Sequence, residues 1–567
     1  MAYFLKKTKQ KNRTYLAIYN SFYSPEKKGT AHKCYKSLGS IESAIQNGIE
    51  NPISYYQNEV DKLNQAMALE KQRHISTISP IKFLGYFPLA SILDSLNIQK
   101  FIDLYKLTTN FQFDLYELLS SLIFARAVHP CSKHKTFHEV LPSLFHQCQV
   151  SYDQLLHGLA FFGIEYEKII ELFTQQVNQT FKIETDTTYF DCTNFYFEID
   201  REDDFKRKGP SKENQKSPIV GLGLLLDKNQ IPIAMKMYPG NESEKPVLRS
   251  IIDDLKKQNN ITGKTIHVAD KGLNCSENII KSLSNQDGYL FSKSVKMLPE
   301  TEKTWVLLNN EYKKVSNTNG EIHYLYKSCI DEFPYVYTDS NGKKKTIKIK
   351  EKRLVTYNPS LAKKKRQEIF KLVEKAKILK NAQAKKNEFG ESSKYINFES
   401  INDDGTSSKK KVKISMNEKA IQKDLELAGY NMIVTSELKM KDEDMYNIYH
   451  NLWRIEESFR VMKSDLEARP VFLQKEESIK GHFLICYLTV LLERIFQFHI
   501  LENKYGTQEI FNFIRNFKVV KMDDNYINAS VMTEFIQYLS EFTSLPLTHY
   551  FLSEAKIKKV LTHKFES

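Results

Sequence analysis

Three acidic residues lie where carboxylates could support metal-dependent chemistry. Asp191 lies within the aromatic segment TYFDCTNFYFE, Asp270 ends the apolar run TIHVAD, and Glu456 lies in YHNLWRIEESFRVMKSDL. A carboxylate among apolar side chains is costly to bury unless it is paired or binds a metal ion. Hard oxygen ligands suit Mg²⁺ or Mn²⁺, and two such ions about 4 Å apart can drive phosphodiester chemistry. The three residues are therefore candidate ligands of catalytic divalent ions.

Alternatives exist for the first two of these acids. Asp186 and Glu198 compete with Asp191 in the same segment, and a purely structural acid is a further alternative. Because Asp186 and Asp191 are five residues apart, they face opposite sides of a strand, and only one can point into a site. Asp270, which is followed by Lys-Gly, is either a site residue at the carboxyl end of a buried strand or a cap of the next turn.

The segment around Glu456 predicts an amphipathic helix over about 441–467. Its apolar stripe consists of Leu452, Ile455, Phe459, Met462 and Leu466. The adjoining face, within about 60°, carries Tyr449, Glu456, Arg460 and Lys463. This face suits metal ligation beside phosphate contacts. The alternative is an ordinary surface helix with a Glu456–Arg460 ion pair.

Hydrophobic periodicity predicts which elements position these residues. A strand should cover Asp191, and a hairpin should join Ile219–Leu226 to Ile231–Tyr238. Further strands are predicted at Thr265–Asp270, Tyr289–Ser294 and Tyr430–Val434, with helices at Glu244–Lys257, Ser276–Leu283 and about 476–500. Three antiparallel strands followed by βαβ elements are the order of an RNase H-like fold, so the predicted class is α/β.

Six segments follow from these patterns. We predict a basic β-hairpin or sheet at 1–40, a helical domain at 41–180, the first part of the RNase H-like core at 181–295, a β-rich insertion domain at 296–429, the second part of the core with the Glu456 helix at 430–500, and a helical region at 501–567.

The charge of the chain favours a polyanionic partner. The formal net charge is +13 and the isoelectric point is near 9.0. Residues 1–37 contain nine lysines or arginines against one acid, so a DNA-binding sheet is predicted there, with an edge hairpin packed on another domain as the alternative. The seven cysteines form no CxxC pair, which argues against structural zinc and favours reduced thiols. Apolar stretches such as Ile485–Leu492 are shorter than the roughly 18 residues that span a membrane.

Taken together, these segments resemble the DDE transposases of bacterial insertion sequences, the group with a Y-(2)-R-(3)-E-(6)-K signature. The insertion sequence 1634 subgroup is the most similar. Tyr449, Glu456 and Lys463 reproduce the spacing, but Leu452 stands at the arginine position. YFDCTNFYFE resembles the segment of the first catalytic Asp, which selects Asp191 over Asp186, and HVADKG resembles that of the second. GPSKENQKSPIVGLGLLLDKNQIPIAMKMYPGNESE and GHFLICYLTVLLER also fit the family.

The resemblance implies an activity and a set of residue roles. Asp191, Asp270 and Glu456 would hold Mg²⁺ or Mn²⁺, with two ions expected. Tyr449, Arg460 and Lys463 would contact DNA phosphates, and Arg454 or Arg460 could replace the signature arginine. The enzyme would bind the terminal inverted repeats of its element, cleave there and join the ends to target DNA, as a cytoplasmic homodimer on paired ends. The alternatives are an RNase H-like nuclease without strand transfer and a catalytically inactive DNA-binding relative.

Overall fold

The computed structural model divides the chain into two compact units, 1–80 and 81–567. It describes residues 2–565 except 11–12, 25–28, 73–78, 108, 147, 199–200, 211, 213–216, 259–262, 318–319, 339–340, 383–385, 400–412 and 523–524. The segment SPEKKG at Ser24–Gly29 predicts a turn of the basic sheet, and residues 25–28 of this turn lie outside the described residues.

The first unit is a three-stranded antiparallel sheet with two helices. Its elements are β1 (Tyr3–Gln10), β2 (Arg13–Ser24), β3 (Gly29–Ser40), α1 (Ile41–Gln46) and α2 (Pro52–Gln72). Leu16 and Ile18 alternate with more exposed residues along β2 and are buried, as is Val60 of α2. Asn64 of α2 accepts from the Tyr3 amide at 2.8 Å and donates to the Tyr3 carbonyl at 2.9 Å. One face of the sheet is therefore covered by α2.

The second unit begins with a mostly helical region. The segment predicted as one helical domain at 41–180 is divided between the units, since α1 and α2 belong to the first. Its elements are β4 (Ile81–Phe83), α3 (Phe87–Ser95), α4 (Gln99–Leu107), α5 (Leu115–Val128), α6 (Lys133–Lys135), α7 (Tyr152–Ile164) and α8 (Tyr166–Phe181). Asp114 caps α5 and Ser151 caps α7, because each side chain accepts from a backbone amide of the first turn.

The next region supplies the strands of a nine-stranded mixed sheet and the helices beside it. Its elements are β5 (Thr187–Tyr196), β6 (Ile219–Leu226), β7 (Pro232–Pro239), α9 (Lys245–Lys257), β8 (Ile266–Ala269), α10 (Ser276–Ser284), β9 (Gly288–Lys293), α11 (Glu300–Leu307), β10 (Lys313–Ser316), β11 (Ile322–Thr338), β12 (Lys344–Tyr357), α12 (Pro359–Asn381), β13 (Ile396–Glu399), β14 (Lys413–Met416), α13 (Glu418–Glu426) and β15 (Tyr430–Thr435). The sheet order is β10-β11-β12-β15-β9-β8-β5-β6-β7. The predicted strands and hairpin of the core all form.

The segment predicted as an insertion contributes directly to this sheet. The hairpin of β11 and β12 pairs through β15 with β9, so three strands from 296–429 extend the same sheet. Only β13 and β14 form a separate two-stranded ladder.

The remaining elements of the described part of the chain are six α-helices and three short strands. They are α14 (Asp442–His450), α15 (Trp453–Arg460), α16 (Glu476–Ile495), α17 (Thr507–Asn516), β16 (Lys518–Met522), β17 (Asn525–Asn528), α18 (Glu534–Thr543), β18 (Phe551–Ser553) and α19 (Glu554–Leu561). The prediction that the region from 501 onward is helical is wrong in part, because β16, β17 and β18 form a four-stranded sheet with β4 in the order β18-β17-β16-β4. Val519 and Leu552 on these strands are buried in the main core, which fixes the short strands by tertiary packing.

The sheet lies between two apolar layers. The main core joins α16 and the helices before β5 to one face, and a second core joins α9 and α10 to the other. Glu476–Ile500 is long and apolar enough to cross a membrane, but 89% of the window that qualifies is buried inside the protein. This segment is therefore the central helix of the core.

Candidate active site

Asp191 lies within β5 and Asp270 directly follows β8, at the same level of two neighbouring parallel strands. β5 and β8 are paired in parallel, with Phe190 opposite Ala269, and each acid is the next residue along. Neighbouring strands are about 4.8 Å apart. The two carboxylates predicted from distant segments therefore converge at one point of the sheet.

Asp191 occupies a largely desolvated position. Its side chain is 21% exposed, its Oδ1 accepts from the Cys192 amide at 2.8 Å, and Lys212 Nζ lies 3.7 Å away. Burial raises the pKa of Asp191 to about 6, and Glu244 and Asp270 add to this rise, while Lys212 and the Cys192 amide oppose it. A nearby cation would therefore stabilise the ionised form of Asp191.

The structure separates Asp191 from its alternatives. Asp186 precedes β5, is 61% exposed and forms an ion pair with Lys228 at 3.0 Å. Glu198 lies beyond the end of β5 and is exposed. Only Asp191 among these three is partly buried and lies beside Asp270.

Tyr449 connects the helical layer to the second acid. Its hydroxyl donates to Asp270 Oδ1 at 3.0 Å. Burial raises the pKa of the Tyr449 phenol, and the charges of Asp270 and Glu456 add to this effect, so the phenol stays protonated and remains a donor. Tyr449 therefore lies within electrostatic range of both acids.

The continuous helix predicted over 441–467 is wrong. α14 ends at His450, α15 begins at Trp453, and Asn451 and Leu452 form a turn between them. Leu452, at the position of the signature arginine, is only 9% exposed and packs in the core. All five residues of the predicted apolar stripe are buried. They therefore pack this segment against the core, although the backbone turns between α14 and α15. Tyr449 and Glu456 consequently do not share one helix face.

Glu456 lies on α15 with an exposed side chain. Arg460, expected as its alternative ion-pair partner, instead lies 3.5 Å from Glu457 and is 61% exposed. Lys463 follows α15, and its Nζ is 5.4 Å from the ring centre of Phe195, on the strand that carries Asp191. Arg454 stacks near Phe498, 5.6 Å from the ring centre.

The sequence patterns did not identify two residues beside Asp191, namely Lys212 and Glu244. Lys212 Nζ lies 3.3 Å from Glu244 Oε1 as well as near Asp191, and it also donates to the Cys192 carbonyl. Burial lowers the pKa of Lys212, but Asp191 and Glu244 outweigh this and raise it. Both residues lie in the segment GPSKENQ…PGNESE, which resembles the family. That resemblance was the only feature of the sequence that could have pointed to them.

The donor set fits divalent cations on one side of the site. Asp191 and Asp270 offer hard oxygen ligands at adjacent positions, whereas the Lys212 ammonium, 3.7 Å from Asp191 Oδ1, would compete with a cation for that carboxylate. Among the described residues, no group of three or more His, Cys, Asp or Glu side chains is close enough to enclose an ion. The structure therefore does not bring Glu456 into one group with the two aspartates.

Comparison with protein families identifies the group to which this fold and site belong. The family profile described as "Transposase DDE domain" matches residues 183–492, more than half of the chain. The chain belongs to the DDE transposase family. The match runs from just before β5 into α16, so it includes all three acids. DDE transposases generally use divalent metal ions, and the family is one of polynucleotidyl transferases and endonucleases.

Comparison with solved structures gives a distant neighbour. The chain is similar to the piggyBac transposase in a synaptic complex with hairpin DNA, with 11% identity over 86% of each chain and a TM-score of 0.37. Because the identity and the TM-score are both low, this similarity says nothing about the roles of individual residues in this chain. Comparison with curated proteins found no match.

Proposed function

We propose that this DDE transposase binds the terminal inverted repeats of an insertion sequence, cleaves the DNA there and joins the ends to target DNA. The observation that carries the proposal is the convergence of Asp191 and Asp270 on neighbouring strands, with Tyr449 bonded to the second acid. The spacing of Tyr449, Glu456 and Lys463 supports membership of the insertion sequence 1634 subgroup.

Asp191, Asp270 and Glu456 would hold two Mg²⁺ or Mn²⁺ ions. Such ions, when bound, activate an attacking oxygen and stabilise a leaving oxygen in phosphodiester transfer. Tyr449 holds the Asp270 carboxylate in one orientation through its hydrogen bond. Lys212 balances the charge of Asp191 and Glu244 and so keeps Asp191 ionised before metal binding.

Cationic side chains near the acids would position the DNA backbone. Lys463 lies beside Phe195 on the strand of Asp191, and Arg460 is largely exposed on α15. Arg454 is packed near Phe498, so its contribution would come from the part of the guanidinium that remains accessible. These three cations would supply phosphate contacts that set register without reading sequence. The Tyr449 hydroxyl has one proton, which it donates to Asp270, so a phosphate contact by Tyr449 would replace that hydrogen bond.

The topology supports an RNase H-like core with an insertion. β5, β6 and β7 form an antiparallel meander, and β8 and β9 add in parallel on the other side of β5. This is three antiparallel strands followed by βαβ units. The segment between β9 and β15 would then be the insertion, although its hairpin extends the sheet.

The small N-terminal unit would supply part of the DNA contact. Phe4, Lys6 and Tyr19 lie on the face of its sheet opposite the buried Leu16 and Ile18, and Lys6 Nζ is 4.6 Å from the Tyr19 ring centre. A basic face with aromatic side chains suits a DNA backbone. The working form would be a homodimer on two paired ends, in the bacterial cytoplasm with the nucleoid.

The test is cleavage and joining of a labelled terminal-repeat duplex with Mg²⁺ or Mn²⁺. Asp191→Asn, Asp270→Asn and Glu456→Gln should each lower cleavage by at least about 100-fold, since loss of a metal ligand exceeds the loss of a supporting group. Asp186→Asn is the matched control and should cleave normally. Cleavage without joining would favour the nuclease, binding without cleavage would favour the inactive relative, and an active Asp191→Asn variant would refute the site.

A further inference from the structure

A second polar site lies away from the acids, beneath the loop that follows the Glu456 helix. A cavity of about 70 Å³ is lined by Arg126, Lys133 and His482, and by loop residues that include Phe472. Phe472 is 72% exposed at the outer side of the loop. A volume near 70 Å³ is that of roughly two water molecules, so a small tetrahedral oxyanion would fit.

Two cations are buried at this cavity. Arg126 lies in the last turn of α5 and is 5% exposed, and Lys133 of α6 is 7% exposed. Among the described residues, neither forms an ion pair with a carboxylate; Glu467 also lines the cavity, but its side chain is exposed. Burying a charge without a counter-charge costs several kcal/mol. Arg126 therefore gives the cavity an uncompensated positive charge. Burial, with Arg126 nearby, lowers the pKa of Lys133 to about 7, and a bound anion would favour its charged form.

The hydrogen bonds leave donors available. Arg126 donates to the carbonyls of Leu466 at 3.3 Å and Cys131 at 3.0 Å, while its Nε is buried without a partner in the described part of the chain. A buried N–H of this kind normally finds an acceptor.

The histidine defines the direction of the lysine contact. His482 Nε2 lies 3.0 Å from the Ala468 carbonyl and must carry a proton to donate there. Nδ1 is then an acceptor, and Lys133 Nζ donates to it at 3.3 Å. Burial, with Lys133 and Arg126 nearby, lowers the pKa of His482, so the ring is neutral. The ammonium keeps further N–H donors for a ligand.

We propose that this cavity binds a phosphate-type oxyanion through Arg126 and Lys133. A guanidinium and an ammonium are the groups that proteins use most for phosphate, and both face a space of suitable size. The bound group would connect α5 and α6 to the loop 466–475, because Arg126 and His482 already bond the carbonyls of Leu466 and Ala468. Free phosphate and a phosphodiester of DNA share this chemistry.

The experiment is equilibrium dialysis of the full-length protein against radiolabelled inorganic phosphate at constant ionic strength. We expect one saturable site per chain. Lys133→Gln, which removes the charge but keeps a donor toward His482, should weaken binding by about tenfold or more. Lys135→Gln, on the exposed side of the same turn, is the control and should bind phosphate like the wild type.

Duplex DNA added to the dialysis distinguishes the two sources. Displacement of phosphate from wild type identifies a DNA phosphodiester as the ligand, whereas phosphate that stays bound identifies the free anion. If Lys133→Gln does not fold, Lys133→Met gives the same comparison. A wild-type protein without saturable phosphate binding, or binding retained in the folded Lys133 variants, overturns the proposal.

Discussion

The hydroxyl of Tyr449 donates to Asp270 Oδ1 across 3.0 Å, from α14 to the residue that follows β8. These residues are 179 positions apart in the chain. The bond gives Tyr449 a role that its spacing from Glu456 does not reveal, since it orients a carboxylate rather than extending the face of the Glu456 helix.

Removing this hydroxyl should lower activity without unfolding the protein. Tyr449→Phe keeps the ring but leaves Asp270 free to rotate, and loss of such a supporting group costs about 10–100-fold in metal affinity or activity. Cleavage of the terminal-repeat duplex over a range of Mg²⁺ concentrations measures this. Tyr446→Phe is the control, because the Tyr446 ring stacks on Tyr324 at 4.0 Å and keeps that contact. Equal loss in both variants would contradict the role of Tyr449.

A buried charge cluster behind α15 should control stability. Arg494 is 1% exposed and lies 3.6 Å from Glu493 and 3.7 Å from Glu457, and Glu493 is fully buried. Arg494→Met leaves buried carboxylates without their cation, which costs about 3–5 kcal/mol of unfolding free energy. Chemical denaturation should show the loss. Adding Glu493→Gln to Arg494→Met should recover part of it, and a double variant no more stable than the single would argue against the pairing.

Asp287 should make stability depend on pH. Burial would raise the pKa of Asp287, but hydrogen bonds from His267 at 3.0 Å and Lys256 at 2.7 Å outweigh it and lower the pKa. Because the folded pKa lies below the ordinary value of about 3.9, this stabilisation is present above pH 4 and is lost as the pH falls through the folded pKa.

The matching variant is Asp287→Asn. At pH 7 it should lose about 2 kcal/mol, the value of hydrogen bonds to a charged group. Thermal melts between pH 3 and 7 should show a steeper acid-side fall for the wild type than for the variant. Parallel curves would mean that another carboxylate causes the acid sensitivity.

Two lysines of the N-terminal sheet should differ in their effect on DNA binding. Lys6 lies on the open face beside Tyr19, whereas Lys36, opposite Ile18, lies on the helix-covered face and pairs with Glu59 at 2.7 Å. Lys6→Gln should weaken duplex binding and lower the salt slope by about 0.9, the value of one phosphate contact. Lys36→Gln should change it less. The measurement is fluorescence anisotropy at several salt concentrations, and the reverse order would place DNA on the other face.

Local patterns in the sequence were sufficient to predict most strands of the nine-stranded sheet. The apolar runs at β6, β8 and β15 are bounded by polar turns, and the period-two alternation of TYLAIYNSFY predicts that Tyr15 and Tyr19 lie on one side of β2. The positions of Asp191 and Asp270 in or after such runs made them candidates. Short strands such as β16 and β18 were missed, because their pairing rather than their composition makes them strands.

What the sequence determined by itself was the set of strands and buried stripes, since side-chain alternation and helical spacing are properties of neighbours in the chain. The tertiary structure alone decided which acid is buried, that Asp186 pairs with Lys228, and that Arg460 meets Glu457 rather than Glu456. It also brought Lys212 and Glu244 to Asp191. Ion pairs and desolvation depend on distances of a few ångströms between distant segments, and those distances exist only after the sheet and the helical layers have packed.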